Sequence, residues 1–131
     1  MTPAERFASV PVARLATVGA DGMPHLVPIV FALVEGTIVF AVDGKPKRSR
    51  ALKRLANIAA EPRVSVLADH YEQDWSRLWW VRADGTARVL DAYGKALDVL
   101  KERYPQYRET PPDGPFVEIT VERWSEWVSH A

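Results

Sequence analysis

Apolar and polar residues alternate with a period of two along much of this chain, the signature of strands with one buried face. Residues 11–18 (PVARLATV) put Val12, Arg14, Ala16 and Val18 on one face and Ala13, Leu15 and Thr17 on the other. Residues 24–34 (PHLVPIVFALV) are apolar on both faces, which predicts a central strand covered twice. Pro28 interrupts that run and cannot donate to a ladder. The strand therefore bulges there, or turns that side toward something other than a strand, such as a flat ligand. Residues 37–42, 63–69, 77–89 and 116–123 complete a predicted set of six strands, with a bulge or bend at Ala83-Asp84-Gly85. Asp21-Gly22 and Glu35-Gly36 are turns, and such short links exclude parallel crossovers among the first three strands. The expectation is a mainly β protein: one antiparallel, barrel-like sheet with inserted helices, forming a single domain over residues 1–131.

The period becomes helical in three places. Thr2 and Pro3 open a short helix anchored by Phe7. Ser49 is the expected N-cap of a second helix, which Pro62 ends. Its apolar side carries Ala51, Leu52, Leu55, Ile58 and Ala59, and its polar side Arg50, Lys53, Arg54 and Asn57. Asp91 is the expected cap of a third helix over residues 92–103, while residues 104–115, with four of the ten prolines, read as irregular.

Charge sharpens the second of these helices. The chain has 17 basic and 17 acidic residues, so no global field draws it to nucleic acid. Yet Lys45, Lys47, Arg48 and Arg50 fall within six positions around a helix N-terminus, and Lys53 and Arg54 continue the stripe. Free backbone N–H groups and the helix dipole favour anions there. The functional reading is a seat for phosphate or polycarboxylate; the plain one is a solvated helix face.

Other chemistry is sparse. Without cysteine there are no disulfides, thiolate metal sites or thiol nucleophiles, which fits a cytoplasmic protein. Neither a signal peptide nor a membrane span is expected. His25, His70 and His130 are not spaced as metal ligands, and His25, near a turn, reads as a surface residue. No nucleophile–base pair or acidic dyad stands out, so neither a catalytic side chain nor a metal site is assigned. Five tryptophans suggest a subunit interface.

Taken in order, ARLATVGADGMPHLVPIVFAL, TIVFAVDGKPKR, LANIAAEPRVSVL and VRADGTARV resemble the pyridoxamine 5'-phosphate oxidase-like split-barrel family. Within it the chain looks most like the actinobacterial branch that uses the deazaflavin coenzyme F420. The resemblance covers residues 5–90 and the closing strand. It implies a homodimer of six-stranded antiparallel split β-barrels, with cofactor sites at the subunit interface. It also implies a flat ring against Val27, Pro28, Ile29 and Val30, flanked by Ala41 and Val42. Counting forward from the third strand puts the phosphate on Lys47 and Arg48. Counting back from ANIAAEPRVS puts it on Arg54, with Asn57 three residues later. Free N–H groups at the helix start favour Lys47, Arg48 and Arg50, leaving Lys53 and Arg54 for outer carboxylates. Trp80 stands where flavin-binding relatives often place a polar residue, which weakens the case for flavin mononucleotide (FMN) and makes Trp79 or Trp80 a wall of the site. The implied activity is hydride transfer between F420 and a small conjugated organic substrate. The alternatives are a non-catalytic binder of deazaflavin, flavin or tetrapyrrole, or an FMN-dependent oxidase of the same fold.

Overall fold

A computed structural model describes residues 1–42 and 48–130, with the side chains of residues 48–52 outside that description. Seven strands pair antiparallel: β1 (Ala13–Val18), β2 (Pro24–Ile29), β3 (Ala32–Val34), β4 (Thr37–Ala41), β5 (Arg63–His70), β6 (Trp79–Leu90) and β7 (Phe116–Val128). Their order is β2-β1-β5-β6-β7-β4-β3, so β2 and β3 occupy opposite edges. Only Val30 and Phe31 separate these two strands in sequence. The sheet must therefore curl until its edges meet, which makes it a barrel. The run expected to be one strand over residues 24–34 is thus two, and the count rises from six to seven.

Of the two faces that alternation separates, one is buried. Ala13, Leu15 and Thr17 of β1, Val64, Val66 and Ala68 of β5, and Val81, Ala83 and Ala87 of β6 are buried. Phe7 of α1 (Pro3–Ala8) is fully enclosed, with Phe31 at 4.8 Å and Trp124 at 5.3 Å between ring centroids. Thr2 and Glu5 cap α1 reciprocally. The bulge falls between Asp84 and Gly85, where a β-carbon on Gly85 would lie 2.2 Å from the Thr120 carbonyl oxygen. Only glycine fits there.

Several expectations are corrected. β2 is an edge strand, not a central one, and Leu26 is 68% exposed. Its second apolar face is an uncovered surface, and edge placement is what accommodates Pro28. Helix α2 (Arg48–Ala60) starts one residue before Ser49, so Ser49 is not its N-cap. Helix α3 (Gly94–Arg103) starts after Tyr93 with no side-chain cap from Asp91, and residues 104–115 contain a short helix, α4 (Pro105–Glu109). Trp75–Arg77 forms a 3₁₀ turn before β6. Among the described residues no helix is long and apolar enough to cross a membrane.

Candidate functional site

Helix α2 packs on β1 and β6 through a seam that is partly polar. Ile58 is buried and Leu55 packs against the core, as the apolar pattern requires. Asn57, assigned to the polar side, is only 5% exposed. Its amide donates to the Thr17 hydroxyl at 3.1 Å, and Thr17 is itself buried on the inner face of β1. With Asn57 facing inward, Ala59 is exposed while Arg54, one turn before Asn57, is half-buried.

The Nε of Arg54 is enclosed without a hydrogen-bond partner, and burial pulls its guanidinium below the ordinary arginine value. His25 stands opposite Thr17 in the β1–β2 ladder, and its Nδ1 is likewise enclosed and unpartnered. Buried polar groups are normally paired, so two orphaned atoms flanking one Asn57–Thr17 bond mark a place suited to an additional polar group. His25 is thus not the free surface residue that its position near a turn suggests. Lys53 is exposed. Lys47 lies outside the described residues, and Arg48 and Arg50 are placed only as first-turn backbone of α2.

The apolar residues expected to meet a ring separate by depth. Pro28 is exposed, Val27 and Val30 are half-buried, and Ile29 is buried. Ala41 and Val42 are both buried in the protein's apolar clusters. Trp79 and Trp80 point to opposite faces: Trp79 packs against the core, while Trp80 faces outward. Trp80 lines an open cleft of about 270 Å³ with Leu67, Asp69, Tyr71 and Arg82, and the Arg82 guanidinium lies 5.8 Å from its ring centroid. Sequence reading missed Leu67, Asp69 and Arg82 as neighbours of Trp80. Alternation places them outward, but only the β5–β6 register brings them together.

Across the outer face, Pro28, Arg14, Leu67 and Arg82 stand in register on four successive strands. Three strand spacings separate the first from the last by about 14 Å. Val18, Leu26, Leu67 and Trp127 leave large apolar area exposed, and ion pairs Arg14–Asp69 (3.5 Å) and Arg82–Asp84 (3.3 Å) punctuate the surface. Among the described residues no cluster of histidine and carboxylate side chains is arranged to hold a metal.

This barrel, with a polar seam at one helix and an apolar edge strand, matches a known family. Residues 4–128 match the family model described as pyridoxamine 5'-phosphate oxidase, and the chain belongs to that family. No curated protein sequence matches it. Among solved structures, a conserved hypothetical protein from Mycobacterium tuberculosis is 24% identical with a TM-score of 0.76, covering 95% of this chain and 81% of that one. A FAD-binding protein from Mesorhizobium loti is 23% identical with a TM-score of 0.70, covering 93% and 88%. A haem storage protein from Vibrio cholerae is 16% identical with a TM-score of 0.72, covering 95% and 90%. Identities at this level establish the shared fold.

Proposed function

We propose that the chain is a cytoplasmic redox enzyme of one split-barrel domain that binds a flavin-type cofactor, specifically coenzyme F420. It would exchange hydride between that cofactor and a small conjugated organic substrate. The observation that carries this reading is the half-buried Arg54 with its orphaned Nε, on a helix that also presents Lys53 to solvent. A half-buried cation lacking a partner suits a phosphate, and charge-assisted hydrogen bonds are the strong ones. We therefore place the phosphate at Arg54, the helix-end register; Lys47 and the side chain of Arg48, favoured by the free N–H groups of the helix start, lie outside the described residues. The remaining cations along α2 suit an anionic tail longer than one phosphate, which favours F420 over FMN. When bound, the deazaflavin would supply the hydride chemistry, and the protein would contribute binding, orientation and exclusion of water. Val27 faces inward and Pro28 outward, so the apolar surface offered to a ring is the unpaired edge of β2, which leaves one side of the strand free.

The reading also calls for a homodimer. Trp80 and Pro28 lie on strands about 14 Å apart on one outer face, too far for both to touch the same ring within one protomer. Across a dimer, Trp80 of one copy can wall the site on β2 of the other, and the exposed apolar residues of this face become covered.

Tetrapyrrole carriage is the second reading, favoured by the haem storage neighbour. The test is a fluorescence titration of wild type and Arg54→Ala with F420. The proposal expects binding by wild type and at least about tenfold loss in the variant. Equal affinities would remove Arg54 from the site, and saturable binding of haem but not F420 would favour the second reading.

A further inference from the structure

Residues 103 and 104 belong to the run RYPQY at the end of α3, which the cofactor reading leaves unused. Their side chains converge on Phe31, in the two-residue crossover that joins the opposite edges of the sheet. The Phe31 N–H donates to the Tyr104 hydroxyl oxygen at 3.0 Å. The single phenol proton is shared between the carbonyls of Phe31 and Pro11, each at 2.8 Å. Arg103 donates to the Phe31 carbonyl at 3.1 Å, to the Ala8 carbonyl at 2.9 Å and to the Val10 carbonyl. Its guanidinium also lies 4.6 Å from the Phe31 ring centroid and 5.3 Å from that of Tyr104. These two side chains therefore satisfy the backbone groups of a residue that lies outside any ladder.

The location of Phe31 gives this arrangement a consequence beyond closing the barrel. Among the described residues β2 has a ladder with β1 only, so no second ladder fixes its other edge. Its end at Ile29 runs directly into Val30 and the pinned Phe31. Val30 also lines an apolar cavity of about 300 Å³ with Tyr104 and Tyr107. A strand held on one side makes a poor platform for a rigid ring unless its end is fixed, because ordering it on binding costs affinity.

We propose that Arg103 and Tyr104 are positioning residues that hold residues 27–30 in the geometry a flat cofactor ring requires, by clamping Phe31. This rests on the cofactor reading above. Both would act through Phe31, since their hydrogen bonds go to the backbone of Phe31, Ala8, Val10 and Pro11. Burial raises the Tyr104 phenol above its ordinary value, so it stays protonated and able to donate throughout the neutral range.

The experiment compares wild type, Tyr104→Phe, Arg103→Lys and Arg108→Ala. Arg108 donates to the Lys101 and Glu102 carbonyls and braces the same helices without reaching Phe31, so it controls for local stability. F420 affinity is measured well below each melting temperature, and backbone amide exchange is followed in the cofactor-free protein. The expected result is about a five- to thirtyfold weaker affinity for Tyr104→Phe, with faster exchange at the Val27, Ile29, Val30 and Phe31 amides. Arg108→Ala should melt lower yet bind within about twofold of wild type. If Tyr104→Phe does not fold, Arg103→Lys carries the same expectations, because an ammonium cannot reach all three carbonyls. Wild-type affinity in the clamp variants, or equal weakening in Arg108→Ala, overturns the inference while leaving the cofactor reading intact. Wild type that binds no F420 overturns the cofactor reading, and this inference falls with it.

Discussion

The Asn57 amide donates to the Thr17 hydroxyl across 3.1 Å, and both side chains are buried. This bond seats α2 on the barrel and sets which of its residues face inward. Asn57→Leu should destabilise the protein by about 1–3 kcal/mol, because Thr17 is left buried without its partner. Adding Thr17→Val should restore part of that loss, since removing both partners is far cheaper than orphaning one. Chemical denaturation of the two single variants and the double variant checks this; additive losses would show that the bond does not couple them.

The outer face of β2, β1, β5 and β6 should be the surface shared by two copies. An obligate interface of this kind buries well over about 2,000 Å². Leu26 is 68% exposed, so Leu26→Arg should leave the fold of one protomer intact and prevent pairing. Sedimentation at micromolar concentration should find wild type as a dimer and the variant as a monomer. A monomeric wild type would remove the shared site.

Lys53, exposed on α2, should matter much less than Arg54. Lys53→Ala should cost F420 binding under about 1 kcal/mol, and that cost should fade as salt rises. Titrations at low and high ionic strength would show it. A salt-independent loss as large as that of Arg54→Ala would mean that Lys53 holds the phosphate.

A pH dependence should arise at the bulge. The Ser65 hydroxyl, 2.6 Å from Asp84 Oδ1, is the main cause holding the Asp84 carboxyl below the ordinary carboxylate range; Arg82 and Arg123 add to it, and partial burial opposes it. A depressed carboxylate contributes stability above its unfolded value and loses it as pH falls through the folded one. Ser65→Ala should therefore melt below wild type at neutral pH, and the gap should close in acid as Asp84 protonates. A gap unchanged by pH would rule out this linkage.

Much of this architecture was legible in the residues. Two-residue alternation correctly separates inner from outer positions on β1 and β5, because that periodicity is intrinsic to a pleated strand. The edge position of β2 was not legible: it depends on β1 pairing with β5, a contact between segments far apart in sequence. Trp124 and Trp127, three residues apart, show the same limit. Their opposite faces follow once β7 is known to run on to Val128, whereas the alternating pattern at residues 116–123 gave no sign of that extension. The polar seam of α2 stayed hidden because sorting a helix by polarity assigns asparagine and arginine to solvent, and only the buried Thr17 hydroxyl makes Asn57 an inward residue. Cofactor identity lies furthest from the sequence, since it turns on how several cations are spaced around one anion.

The measurement that bears most directly on the central claim is a side-by-side titration of cofactor-free wild type with F420 and with FMN at one salt concentration. The account predicts saturation by F420 at one equivalent per protomer, and at least about tenfold weaker binding of FMN, whose single phosphate leaves the tail cations of α2 unused. Equal or tighter binding of FMN would contradict it.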